Sequence, residues 1–149
     1  MRIAIGSDHA GFLLKSHLKA WLLEHGYEVT DVGTDSTDSV DYPHYGFLVG
    51  KAVSSGEADF GVAVCGSGQG ICMAVNKVHG VRGAVVRDLE DATIVRHHND
   101  ANVICFGERF TTPEIATDAL IAFLETPFDG GRHERRVNLL TDIDDGRSI

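Results

Sequence analysis

One apolar segment of this chain ends on a cysteine and runs directly into a glycine-rich turn, and this junction strongly restricts the fold. Residues 60–64 form an apolar run, which is typical of a strand buried on both faces of a parallel sheet. Cys65 follows the run, and Gly66, Gly68 and Gly70 come next. Glycines at alternate positions let successive backbone N–H groups turn inwards around an anion. Because ligands bind at the carboxyl ends of strands in open α/β sheets, a functional site is predicted beside Cys65.

The alternative interpretation of this junction is a packed core cysteine followed by a simple turn. Three glycines within five residues weaken a fold without serving packing, which favours the functional interpretation.

Strand-like and helix-like segments alternate along the whole chain. Strands are predicted over residues 2–6, 27–32, 60–64, 81–86 and 102–106. Helices are predicted after the first strand as far as Gly26, over 44–54, over 69–77, from Asp88 to about His98, from Thr112 onwards, and over about 130–143. Crossover connections of this kind cover both faces of a sheet, so the pattern predicts a Rossmann-like three-layer α/β sandwich with a five-stranded parallel sheet. The length of 149 residues suits one domain over residues 1–149.

Composition and charge exclude several classes of protein. No apolar run approaches membrane-spanning length, and the first strand begins too early for a secretory signal, so we expect a cytoplasmic protein without membrane contact. The three cysteines, at 65, 72 and 105, have no paired spacing and argue against a disulfide framework or a zinc ribbon. A net charge of −9 argues against a nucleic-acid partner. An anionic small substrate would therefore need local positive charge.

A cluster of basic residues near the end of the chain supplies such a charge. Arg132 and Arg136 are four residues apart, so they share one face of a helix and are able to grip a single phosphate. Arg135 points elsewhere. A solvated basic helix face is the alternative interpretation.

Further polar residues stand beside predicted strand ends. Asp8 and His9 follow the first strand, where Asp8 is also a candidate helix cap. His98 and Asn99 precede the fifth strand, and we expect them to border the same rim as Cys65. No metal site is predicted, because the spacing of histidines and carboxylates matches no familiar ligand set.

Taken together, these segments resemble the type B ribose-5-phosphate isomerases, the group that also includes the galactose-6-phosphate isomerase subunits. The resemblance covers nearly the whole chain. It is carried by six ordered motifs, which are Gly6-Ser-Asp-His-Ala-Gly-Phe12, Asp41-Tyr42-Pro43, Cys65-Gly-Ser-Gly-Gln-Gly-Ile71, Ala74-Val-Asn-Lys77, His98-Asn-Asp-Ala-Asn-Val103 and Gly130-Gly-Arg-His-Glu-Arg-Arg-Val137.

The resemblance implies an aldose–ketose isomerase that needs no cofactor and works through a cis-enediol(ate). Cys65 matches the family's base, which acts as a thiolate. Some relatives use a glutamate six residues later, but that position is Ile71 here, so Cys65 is the predicted base. Ser67 and the backbone N–H groups of residues 66–70 would stabilise the enediolate oxygen.

The remaining roles are carried over in the same way. His98 matches the acid/base that opens the sugar ring, with Tyr42 assisting, and Asp8 and Asn99 match residues that hold substrate hydroxyls. The positions on the phosphate side are His9, Arg109, Arg132 and Arg136. The resemblance also implies a homodimer or a dimer of dimers, with the C-terminal helix placed to reach a neighbouring subunit.

Three alternatives are kept open. An isomerase of a four- or six-carbon sugar phosphate would use the same chemistry, and the contacts that choose between substrates are expected in the loop from Gly33 to Tyr42. A cysteine phosphatase needs an arginine at position 71, where the chain has Ile71. A non-catalytic nucleotide-binding module would use a different glycine spacing, directly after the first strand.

Overall fold

The computed structural model describes all 149 residues, which form a five-stranded sheet covered by helices on both faces. The strands are β1 (Arg2–Ser7), β2 (Glu28–Asp31), β3 (Phe60–Cys65), β4 (Gly83–Val85) and β5 (Val103–Gly107). The helices are α1 (Phe12–Glu24), α2 (Tyr42–Ser54), α3 (Gln69–Val75), α4 (Leu89–Asn99), α5 (Pro113–Glu125) and α6 (Arg132–Asp144), and a short 3-10 turn (His9–Gly11) precedes α1. All five predicted strands and six predicted helices are confirmed.

The strands are all parallel and lie in the order β2-β1-β3-β5-β4. Strand β2 therefore lies on one side of β1 within the sheet, and β3, β5 and β4 lie on the other side. Ser7 is aligned with Val64, and Cys65 is aligned with Gly107, so the carboxyl ends of β1, β3 and β5 lie side by side. This reversal of strand order is the position at which open α/β sheets bind ligands.

Two apolar cores hold the layers together, one on each face of the sheet. Helices α1, α4 and α5 pack on the face that carries Ile5, Val64 and Phe106. Helices α2 and α3 pack on the other face, around Ala63 and Cys105. None of the helices has the length and apolar character needed to cross a bilayer.

Several element boundaries differ from the sequence prediction by one or two residues. Helix α2 begins at Tyr42 rather than at residue 44, because Pro43 fits the first helical turn, where its missing N–H is not needed. Helix α3 ends at Val75 and β4 covers only Gly83–Val85. The Asn76 side chain joins them, since its Oδ1 accepts from Gly83 N at 2.8 Å and its Nδ2 donates to Gly83 O at 2.9 Å.

Local helix signals behave as the sequence indicates. The Asp88 carboxylate accepts a hydrogen bond from Asp91 N at 2.8 Å and caps α4, and Thr112 caps α5 through Ile115 N. The loop after β2 is fixed by the buried Lys15, whose ammonium donates to Asp31 and to the carbonyl of Thr34.

Candidate active site

A cleft of about 250 Å³ opens at the carboxyl ends of β1 and β3. Eight of the predicted site residues line it together with Ala10, and these are Asp8, His9, Tyr42, Cys65, Gly66, Ser67, Gly70 and Arg109. They come from loops that are far apart in sequence and meet because the strands before them are parallel. The prediction of a site at this edge of the sheet is therefore supported by the geometry.

The cysteine at the end of β3 is held by the loop that follows it. Gly68 N–H donates to Cys65 Sγ over 3.1 Å, and Cys65 is only 5% exposed. This bond needs the left-handed backbone of Gly68, whose φ is +79°, a region that other residues rarely adopt. This hydrogen bond holds the sulfur of Cys65 beside the glycine loop.

Tyr42 forms one wall of the cleft by packing on the glycine loop. A side-chain carbon at position 70 would lie 2.6 Å from Tyr42 Cζ, so Gly70 is required for this approach. Tyr42 is the first residue of α2 and is 39% exposed. Its ring therefore lies above the loop that carries Cys65 and Ser67.

Asp8 and His9 form the opposite wall, at the end of β1. Asp8 Oδ1 accepts from Gly11 N at 3.1 Å, which confirms the predicted capping role and fixes the buried carboxylate at the rim. His9 Nδ1 lies 3.1 Å from Val40 N and 3.2 Å from Val40 O, so it accepts from the N–H or donates to the carbonyl according to its tautomer. Either contact joins the loop before α2 to the site.

Arg109 is the one arginine or lysine that lines the cleft. Its backbone is tied to the cysteine loop, because Arg109 N donates to Gly66 O at 3.1 Å and Glu108 N donates to Cys65 O at 2.9 Å. Glu108 also accepts a hydrogen bond from Leu14 N at 2.6 Å, at the start of α1. The guanidinium lies over Gly66, where it provides positive charge for an anionic ligand.

Five predicted site residues are not among those that line this cleft, namely Gly68, His98, Asn99, Arg132 and Arg136. Gly68 belongs to the loop that holds Cys65. A helix that links two parallel strands runs antiparallel to them, so the last turn of α4 lies at the amino edge of the sheet. His98 and Asn99 are in that turn. The expectation that they border the same rim as Cys65 is wrong within one chain, because residues that precede a strand stand at its opposite end.

The second group of residues is assembled by α4 and α6. The His98 ring stacks on the ring of His133, with centroids 4.3 Å apart and planes inclined by 9°. Desolvation and the neighbouring charges of His98 and Arg132 hold the pKa of His133 below its ordinary value. Arg136 Nη1 donates to the carbonyl of Arg132 at 3.4 Å, so the two arginines share an exposed face as predicted.

A sequence model of the family described as Ribose/Galactose Isomerase matches residues 3–140, which include every residue of both groups. The chain belongs to the ribose/galactose isomerase family. The family predicted from the motifs is thereby confirmed.

Similar members of the ribose/galactose isomerase family have been named and solved. Ribose-5-phosphate isomerase B of Escherichia coli K12 is 44% identical over 147 residues, which cover 99% of each chain. The structure of Clostridium thermocellum ribose-5-phosphate isomerase B has a TM-score of 0.97 at 45% identity and covers 99% of this chain and 100% of its own. The structure of the Mycoplasma genitalium enzyme, with bound ribulose 5-phosphate, has a TM-score of 0.93 at 38% identity over 97% of this chain and 96% of its own. These similarities confirm the predicted α/β fold.

The other two cysteines are separate from the cleft of this isomerase-family chain. Cys72 and Cys105 are buried and unpaired by disulfides. Burial and the neighbouring Cys72 raise the pKa of the Cys105 thiol well above its ordinary value. Cys65 is thus the one thiol that faces the cleft.

Sequence reasoning missed three residues that shape the two groups. Val40 and Glu108 act through the backbone bonds described above, and no motif signals such contacts. His133 lies within the quoted motif that begins at Gly130, but its contact with His98 depends on how α6 packs beside α4.

Proposed function

We propose that this chain is an aldose–ketose isomerase that interconverts D-ribose 5-phosphate and D-ribulose 5-phosphate, a reaction of the pentose phosphate pathway. The observation that carries the proposal is the position of Cys65, which ends the central strand with its sulfur bonded to Gly68 N–H in a cleft that also holds Arg109. The relatives named as ribose-5-phosphate isomerase B support the same substrate. Three free thiols are compatible with a cytoplasmic location.

The Cys65 thiolate takes the proton from C2 of the open-chain aldose and returns it to C1, while the hydroxyl proton at O2 passes to O1, so that the C2 carbonyl of the ketose forms. The electron pair from the broken C–H bond forms the enediolate, so negative charge moves to the former carbonyl oxygen. The Ser67 hydroxyl and the remaining N–H groups of residues 66–70 stabilise that oxygen, because they are donors held in place by the fold before charge develops.

The cleft also provides groups for the rest of the sugar phosphate. Asp8 is fixed by its cap and holds a substrate hydroxyl, and Tyr42 covers the ring-opening end. His9 and Arg109 bind the phosphate, with the guanidinium supplying paired N–H donors. A chain of net charge −9 thus concentrates positive charge where the substrate needs it.

The remaining roles belong to a second copy of the chain. His98 opens the sugar ring, Asn99 holds hydroxyls, and Arg132 and Arg136 complete the phosphate site. Because these four residues lie at the amino edge of the sheet and Cys65 lies at the carboxyl edge, one chain cannot bring them together. We therefore propose a homodimer, or a dimer of dimers, in which each site draws on two chains.

An assay of several sugar phosphates tests the proposed substrate. Purified chain should isomerise ribose 5-phosphate with a kcat/KM at least about tenfold above those for erythrose 4-phosphate, allose 6-phosphate and galactose 6-phosphate, since one added or missing carbon disturbs the distance between the reacting end and the phosphate. Ketose formation is measured in each case. Turnover of another sugar in preference to ribose 5-phosphate would reassign the substrate within the family, and turnover of none would contradict the isomerase proposal.

A second experiment separates ring opening from proton transfer. In His98→Asn, isomerisation of ribose 5-phosphate should slow by about 100-fold or more, because its furanose ring no longer opens with acid/base assistance. Exchange of the C1 proton of ribulose 5-phosphate with deuterated solvent should survive, since this ketose cannot close into a normal furanose.

The matched control is His79→Asn. His79 is also an exposed histidine, and it pairs with Asp145. The rates of isomerisation and of C1 proton exchange should both stay at wild-type values in this variant. If C1 exchange in His98→Asn falls as far as isomerisation does, His98 is not confined to ring opening.

A further inference from the structure

Three metal-ligating side chains meet where α4 ends and α6 begins. The ligand atoms of His98, Asp129 and His133 all lie within 4.8 Å of one another. No other group of three histidine, cysteine or acidic side chains in the chain has this arrangement. The His98 and His133 rings stack nearly parallel, so the two imidazoles lie directly against each other within the cluster.

Backbone contacts fix the positions from which these side chains extend. Asp129 N donates to His97 O at 3.1 Å, which joins the loop before α6 to the last turn of α4. His97 Nδ1 lies 2.6 Å from Asp129 Oδ1 and orients the carboxylate. His133 N donates to Gly130 O at 3.1 Å, in the first turn of α6. Carboxylates that bind metal ions are commonly held in place by a hydrogen bond from a neighbouring group, as His97 holds Asp129 here.

Two imidazoles and one carboxylate are a ligand set suited to Zn²⁺ and similar divalent ions. Ligand atoms at about 2.0–2.1 Å from Zn²⁺ stand about 3.3 Å apart in a tetrahedron. Binding one ion requires the ligand atoms, now within 4.8 Å of one another, to move closer together, and the exposed His98 side chain is free to turn out of the stack toward the ion. The exposed side of the cluster leaves a fourth position for water.

We propose that His98, Asp129 and His133 form an inhibitory binding site for a divalent transition-metal ion, with Zn²⁺ as its representative. The inhibition rests on the proposed function, in which His98 exchanges a proton with the sugar. A metal bound to the imidazole occupies the lone pair that this exchange needs. An imidazole that a substrate can reach is equally open to a hydrated ion.

The binding test uses the full-length, metal-free chain, titrated with ZnCl₂ in phosphate-free buffer by calorimetry. One ion per chain should bind in the micromolar range. Removing one ligand, in His133→Gln or Asp129→Asn, should weaken binding about tenfold or more, with folding checked by circular dichroism. In Cys65→Ala and in His79→Gln the affinity should equal that of the wild type. His79 is the matched control because it pairs with Asp145 at 2.7 Å but belongs to no group of three.

Co²⁺ gives a second readout of the same site. Its visible absorption should indicate nitrogen and oxygen ligands and should lack the charge-transfer band of a thiolate. Absence of Zn²⁺ binding, unchanged affinity in His133→Gln, or loss of affinity in Cys65→Ala would each overturn the site. Because binding is measured without substrate, these outcomes do not depend on which sugar the chain isomerises.

The inhibitory part is tested separately. Micromolar Zn²⁺ should inhibit isomerisation by the wild type, EDTA should restore it, and Asp129→Asn should be active yet about tenfold less sensitive to Zn²⁺. Bound Zn²⁺ with undiminished isomerisation would contradict the inhibition.

Discussion

Replacing Cys65 with alanine should lower kcat for ribose 5-phosphate by about 10³-fold or more, because the variant has no group to remove the C2 proton. Position 71, where some relatives carry a glutamate, is Ile71 and is fully buried. The measurement is ketose formation at saturating aldose, together with C1 proton exchange of ribulose 5-phosphate, which should fall equally.

The matched control for this change is Cys72→Ala. Cys72 is a buried cysteine of the same core that does not line the cleft, so its variant should isomerise at close to the wild-type rate. Iodoacetamide should inactivate the wild type by alkylating Cys65, as located by peptide mass spectrometry, and EDTA should not lower the activity. Retained activity in Cys65→Ala would move the base elsewhere, and activity lost in EDTA and restored by a divalent metal would refute the thiolate mechanism.

The cleft is the part of the site that sequence predicts well. Cys65, Gly68 and Gly70 are close in sequence, and their chemistry follows from one strand and one turn. Asp8 joins them because every strand of a parallel sheet ends at the same edge, so residues that follow strands are brought together. For residues that directly follow a strand, a correct assignment of the strands is enough to predict that they lie together.

The second group shows what sequence patterns do not reveal. The position of His98 next to a strand predicts a place at the rim, yet His98 precedes β5 and therefore lies at the other edge. Its contact with His133 depends on the packing of α6 against α4, for which sequence spacing carries no signal. The separation of the two groups to opposite edges, on which the proposed shared site rests, follows only when the direction of α4 is known.

This division makes a strong prediction for mixed dimers. Cys65→Ala and His98→Ala are each expected to be inactive, but the two chains unfolded and refolded together should regain activity. If each site takes Cys65 from one chain and His98 from the other, a mixed dimer has one doubly damaged site and one intact site. Random pairing makes half of the dimers mixed, so about a quarter of all sites should recover. The same recovery is expected when Cys65→Ala is paired with Arg132→Ala or Arg136→Ala.

The control for these mixtures is Arg109→Ala with Cys65→Ala. Both residues line the same cleft of one chain, so every site in this mixture keeps at least one defect and no activity should return. Native mass spectrometry establishes that subunits have exchanged in each mixture. Failure of the His98, Arg132 and Arg136 mixtures despite exchange would refute the shared site. Recovery in the Arg109 mixture would show that Arg109 acts in the partner's site, although its backbone is bonded to the loop of its own Cys65.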